Sequence, residues 1–164
     1  MTTALLMTTR YDQSTWEKYT NWKRQKKVSG AFYNTPLPIS EKISPDSILY
    51  VLEMNNSTNR IMGIGIIQNK MPKKQYFHMF DNECFNRYHY HSSKHISREM
   101  LSYPTLLLQN GVWISLLELL ELICFKSARH SKRSRGISKL PSVYFKGVLM
   151  THIINLIEKC SKSI

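Results

Sequence analysis

The stretch SILYVLEMNNSTNRIMGIGIIQNK, Ser47 to Lys70, constrains the fold more than any other part of the chain. It holds two apolar runs of strand length, Ile48 to Met54 and Ile61 to Gln68, separated by a polar tip at Asn55 to Asn59. Asn, Ser and Thr support tight turns through local side-chain hydrogen bonds, and the flanking runs are rich in Ile, Val, Leu and Tyr, so the stretch reads as a β-hairpin. Its second arm carries Gly63 and Gly65, which lie two residues apart and on a strand open the same face. A strand face without side chains lets a flat ligand or another backbone come close. The two glycines therefore form either the floor of a base-sized pocket or a close-packing wall. On the opposite side of the hairpin, Glu53, Asn55 and Asn56 either read a base edge or build the turn.

Other elements arrange themselves around this hairpin. Ser14 to Glu17 has capping-box spacing ahead of WEKYTNWKRQKK, a short amphipathic helix with a basic end. Three prolines between Ser29 and Pro45 favour extended backbone and turns. Gln75 to Met79 and Asn86 to His91 read as further short strands, the second because Tyr88 and Tyr90 alternate with His89 and His91. Trp113, Leu116, Leu117, Leu120, Ile123 and Cys124 recur at helical spacing, which predicts a helix over Trp113 to Phe125. Leu149, Ile153, Leu156 and Cys160 outline a C-terminal helix. With 164 residues, 42% of them hydrophobic, the chain suits one domain over 1–164, in which residues 1–12 are expected to be a disordered lead-in. The expected class is α+β: a small bent antiparallel sheet, or a barrel, packed by two or three helices.

Charge narrows the partners. Lys and Arg outnumber Asp and Glu by 23 to 11, and a net charge of +12 on so small a body favours polyanions. Within the loop expected over 126–141, Lys126, Arg129, Lys132, Arg133, Arg135 and Lys139 occur without one acidic residue, and His130, Ser127, Ser131 and Ser134 add hydrogen-bonding groups. Cations meeting phosphates release condensed counterions, which makes such binding steeply salt-dependent. Lys23, Arg24, Lys26 and Lys27 at the end of the first helix supply a second basic patch. Aromatic rings beside cations are the ingredients of single-strand recognition, because every base offers a π-face; Trp22, Tyr88 and Tyr90 are the stacking candidates.

Enzymatic readings find less support. His89, His91 and His95 form HxHxxxH, but no carboxylate or thiolate is clearly joined to them, and no metal site or cofactor is assigned. Glu118 and Glu121 lie three apart on the predicted helix and, with His130, are the residues a metal-dependent nuclease would use. Three separated cysteines point to neither a disulfide framework nor a zinc cluster. With no secretory signal or membrane-spanning segment, an intracellular, cytoplasmic or nuclear, protein with no membrane partner and no obligatory small molecule is expected.

The pattern ILYVLEMNNSTNRIMGIGII, a strand after a Pro-Asp turn, a polar tip, then glycines alternating with apolar residues, resembles the hairpin of PUA-like β-barrels, the group that includes YTH, EVE and ASCH domains. That resemblance implies a small mixed barrel that binds RNA or DNA, several of whose relatives hold one modified base in an aromatic or polar pocket. Trp16, Trp22 and Trp113 do not align with a YTH-type tryptophan cage. The hairpin, FNRYHY and the 126–141 stretch together also resemble a protein type of large eukaryotic DNA viruses that brings no function with it. Nucleic-acid binding, with RNA ahead of DNA, is the expected function; a metal-dependent nuclease and a viral protein-interaction module are the alternatives.

Overall fold

The hairpin expected from Ser47 to Lys70 forms the middle of the molecule. In a computed structural model describing residues 2–70, 76–141, 145 and 148–164, β3 (Ile48–Asn55) and β4 (Arg60–Gln68) pair antiparallel. β1 (Ala4–Tyr11) flanks β3, and the short strands β6 (His95–Ser97) and β9 (Ser138–Lys139) form the edges, giving the order β6-β4-β3-β1-β9. Residues 4–11 are therefore a central strand and not a disordered lead-in. With both faces covered, ALLMTTRY lacks the apolar alternation of a half-exposed strand, which hides it from periodicity.

β1 runs parallel to β3, so the main sheet is mixed where an antiparallel one is expected. The return crossing passes through α1 (Gln13–Gln25) and β2 (Ala31–Thr35). β2 pairs with β5 (Tyr88–Ser92), and β7 (Thr105–Leu107) with β8 (Trp113–Ser115); none of these sheets closes into a barrel. The class is α+β, as expected.

Two helix starts move and one expected strand does not form, each for local reasons. α1 begins one residue before Ser14, because Asp12 is its cap: the Thr15 amide donates to Asp12 Oδ1 at 2.7 Å and Thr15 Oγ1 accepts from the Asp12 amide at 3.0 Å. The helix expected from Trp113 starts at Leu116, because Ser115 and Glu118 form a second capping box; α3 (Leu116–Glu121) passes into a π-helical turn over Leu122–Lys126. Trp113 thus sits on β8, 66% exposed. Residues 76–79 form no strand, and Gln75 lies outside the described residues. Their backbone is instead held by side-chain amides: the Phe77 carbonyl accepts from Asn34, and the Met79 amide donates to Asn86. α2 (Arg98–Leu101) and the C-terminal α4 (Val148–Ser161) complete the α-helices among the described residues, beside a 3-10 turn over Glu83–Asn86.

Alternation along the central strands sends side chains into two cores. Tyr50, Leu52 and Met54 face a core with α3 and α4, whereas Leu49 and Val51 face one with Tyr19, Trp22 and Tyr33. A bulge in β4, where Leu52 pairs with Ile64 but Met54 with Ile61, lets both isoleucines enter the first core. The second face also receives Glu53, which has no exposed surface. A buried carboxylate needs hydrogen-bond donors to offset a desolvation cost of several kcal/mol. Tyr33 donates its hydroxyl at 2.8 Å, and His95 Nε2 lies 3.0 Å from Oε2.

Gly63 and Gly65 make that arrangement possible. A Cβ on Gly65 would stand 1.9 Å from the Tyr33 hydroxyl, and one on Gly63 would stand 2.7 Å from the His95 ring. The glycine face is therefore a close-packing wall and not a pocket floor. Gly65→Val should lower stability by about 2 kcal/mol or more through overpacking, read as a shifted urea midpoint. Glu53→Ala should cost about 3 kcal/mol by stranding Tyr33 and His95. A variant of either kind that melts like the parent would refute this assignment.

Candidate functional site

Beyond the end of β1 the chain leaves a cavity of about 510 Å³, within the size range of small-molecule sites. β1 and the start of α1 contribute Thr9, Arg10, Tyr11, Asp12, Thr15 and Lys18. The end of β2 adds Asn34 and Thr35, the 80–85 turn adds Phe80, Asp81 and Phe85, and the approach to β9 adds Ser134, Arg135 and Gly136.

Its aromatic side is built by one buried amide. Asn86 Oδ1 accepts from the Met79 and Phe80 amides, and its Nδ2 donates to the Phe80 carbonyl at 2.7 Å. That network fixes Phe80, which meets Phe85 edge to face with centroids 6.3 Å apart. Asn34 joins it by donating to Asn86 Oδ1 at 3.1 Å and to the Phe77 carbonyl at 2.8 Å. Because both partners are acceptors, the amide orientation follows from the network. Asn34 Oδ1 is left buried without a partner among the described residues. Asn56, also lining the cavity, repeats the pattern: Nδ2 donates to the Lys132 carbonyl, and the buried Oδ1 has no partner among the described residues.

Three cations and two carboxylates line the cavity. Asp81 pairs with Lys18, and Asp12 caps α1. Neither Arg10 nor Arg135 forms an ion pair with a carboxylate among the described residues. Arg10 is half-buried, and burial lowers its guanidinium to about 10, which leaves it charged at neutral pH.

The basic loop is held in shape. The Ser131 amide donates to the Cys124 carbonyl, Arg10 Nε to the Ser134 carbonyl, and Lys132 Nζ to Asn59 Oδ1 at 2.8 Å. Gly136, at φ +61°, supplies the left-handed bend that turns the loop into β9. Lys126, Arg129, His130, Arg133, Arg135 and Lys139 are exposed, and no loop cation forms an ion pair among the described residues.

Of the residues singled out from sequence, the fold brings Asn56, Ser134 and Arg135 to the cavity. Lys23, Arg24, Lys26 and Lys27 lie at the far end of α1, which at 1.5 Å per residue is about 20 Å long; Lys23 is half-buried with its ammonium 5.1 Å from the Tyr19 ring centre. Trp22 is buried against Phe32, so it is not an exposed stacking ring. Tyr90 is buried too, its hydroxyl accepting from the Ile39 amide at 2.9 Å, and Tyr88 is half-buried. Asn55 Nδ2 donates to Gln13 and its Oδ1 accepts from the Ser57 amide, a turn role and not base reading.

The proposed nuclease residues are likewise engaged. Glu118 closes the cap of α3, and Glu121 bonds Arg98 and the Ile61 amide. Among the described residues no three His, Cys, Asp or Glu side chains are placed to hold a metal. Sequence reasoning missed Arg10, Tyr11, Asn34, Phe80 and Phe85. A visible signal existed in FDNECF, two phenylalanines spaced within a turn-forming run, but nothing local joins it to Arg10. The chain matches no family model, no curated protein and no solved structure.

Proposed function

We propose that the chain is a nucleic-acid-binding domain that takes one base of a single strand into the cavity, with neighbouring phosphates on the 126–141 loop and RNA as the first candidate. The observation that carries this reading is a pinned loop of cations, free of carboxylate partners among the described residues, leading directly into the wall of an aromatic and amide-lined cavity. The loop supplies sequence-independent attraction, and the cavity supplies the base-sized element that a merely solvated loop would lack. Phe85, 46% exposed and set edge to face against the buried Phe80, offers a π-face. Kinship with PUA-like domains and the reading of a modified base belong to the same proposal.

A protein-interaction role has one feature in its favour. Trp113 and Leu107 face each other across the β7–β8 pair and are 66% and 55% exposed, with Val112 beside them.

Affinity for mixed-sequence single-stranded RNA across a salt series tests the main reading. Changing Arg129, Lys132, Arg133 and Arg135 together to Ala should flatten the log-log salt slope by about 2 to 3; an unchanged slope would remove the loop from the contact surface. Phe85→Ala, at a ring already 46% exposed, should weaken single-strand binding about tenfold with the slope and melting temperature unchanged. Retention of full affinity would exclude Phe85 from base contact.

A further inference from the structure

The β7–β8 hairpin turns one face outward. Leu106 and Ile114 pack into the first core, so their chain neighbours Leu107 and Trp113 point away from it, and both are exposed, as is Val112. The face is formed in advance. The Leu108 amide donates to the Val112 carbonyl at 2.9 Å, the Gly111 amide to the Leu108 carbonyl at 2.9 Å, and the Val112 amide to Asn110 Oδ1 at 3.1 Å, which lowers the ordering cost of docking. Ser115, two residues from Trp113, lies on the same face of β8. Its hydroxyl accepts from the Glu118 amide at 3.1 Å, so the face runs on to the start of α3.

Along α3 and its π-helical turn, Glu118, Leu122 and Lys126 are exposed at intervals of four residues, while Leu119, Leu120, Ile123 and Cys124 are buried. Residues so spaced lie on one side of a helix. Neither Glu118 nor Lys126 forms an ion pair among the described residues. The stripe runs acid, apolar, base about a central leucine, and reversed it complements itself. A second copy turned about a two-fold axis at Leu122 sets acid against base at both ends, which is the self-complementarity that a two-fold interface requires.

Charge favours the same occupant. The sixteen residues from Ser102 to Leu117 carry no charge, and from Arg98 to Leu122 there are three glutamates and one arginine in a chain of net charge +12. Phosphates of RNA and anionic lipid headgroups are drawn to cations, which cluster on the 126–141 loop and the end of α1. Two copies of so basic a chain repel wherever their cationic surfaces approach, and they meet with least repulsion across this face.

We propose that two copies of the chain associate here as a two-fold dimer, which covers Leu107, Val112 and Trp113 and sets each Glu118 against Lys126 of the partner subunit. Trp113 is the apolar anchor, and the exchanged ion pairs fix the register. The dimer goes beyond nucleic-acid binding and does not depend on it.

Sedimentation equilibrium of the full chain from micromolar to submillimolar concentration tests it. The parent should pass reversibly from monomer to dimer and go no further. Trp113→Ser, at an exposed position, should raise the dissociation constant about tenfold or more with the melting temperature unchanged. Glu118→Lys and Lys126→Glu, each checked by circular dichroism for retained fold, should each weaken the dimer; combined in one chain they should restore most of it, because the pair returns with its signs exchanged. A chain that stays monomeric would overturn the proposal. So would a dimer indifferent to Trp113→Ser, a double variant no tighter than the single ones, or assemblies that keep growing with concentration, the mark of a contact that does not close. Vesicles of phosphatidylserine and phosphatidylcholine present the competing occupant: flotation of a monomeric parent, lost in Trp113→Ser, would overturn the dimer and give the face to a membrane. None of these changes touches the four cations of the salt-slope test, so loop-dependent RNA binding stands or falls separately.

Discussion

The carboxylate of Glu53 is the constraint around which the central sheet is assembled. It sits on the middle strand with no exposed surface, and its donors come from elsewhere: Tyr33 from the β2–β5 pair and His95 from the edge strand β6. Each donor reaches it only because β4 has no side chain in the way at Gly63 and Gly65. Four elements are thereby tied to a single group. Apolar packing alone tolerates many near-equivalent arrangements, whereas a buried charge is satisfied by few. The tyrosines around it extend the order, Tyr11 stacking on Tyr19 and Tyr19 on Tyr33. This stack joins the end of β1, where the cavity opens, to the face of α1.

The tip of the hairpin performs the equivalent task at the surface. Asn55 and Ser57 hold the start of α1 through Gln13, while Asn56 and Asn59 hold the basic loop through Lys132. These bonds span 42 to 76 residues of the chain and set two walls of the cavity. The backbone of the basic loop is held by neutral hydrogen bonds at Ser131, Lys132 and Ser134, and Lys132 Nζ by the Asn59 amide, so no carboxylate among the described residues compensates the loop's charge. The same device acts on Arg10, bonded to carbonyls and hydroxyls and to no carboxylate.

Where local signals were strong, the sequence was legible. The β3–β4 hairpin lies where its apolar runs and polar tip put it, and the C-terminal helix follows its heptad-like spacing. The strand over Ala4–Tyr11 was not legible, because burial on both faces erases the period-two pattern. Capping displaced two helix starts: the cap at Asp12 replaced the capping-box spacing read at Ser14, and the one at Ser115 outweighed the apolar spacing that would begin α3 at Trp113. Trp22 illustrates the limit for site residues. Its basic neighbours suggested exposure, but the ring turns inward onto Phe32 while the lysines around it reach water.

The chain's composition and order determined its strong positive charge, the hairpin at its centre and an acid-free run of cations, since all three are local or additive properties. Only the tertiary structure decided that Gly63 and Gly65 serve a buried carboxylate, that Arg10 bonds the Ser134 carbonyl across 124 positions of sequence, and that Asn34, Phe80 and Phe85 line one cavity. Such juxtapositions depend on which faces the strands turn inward and on where the loops are tied. Those outcomes arise from many weak contacts acting together, and no short window of sequence contains them.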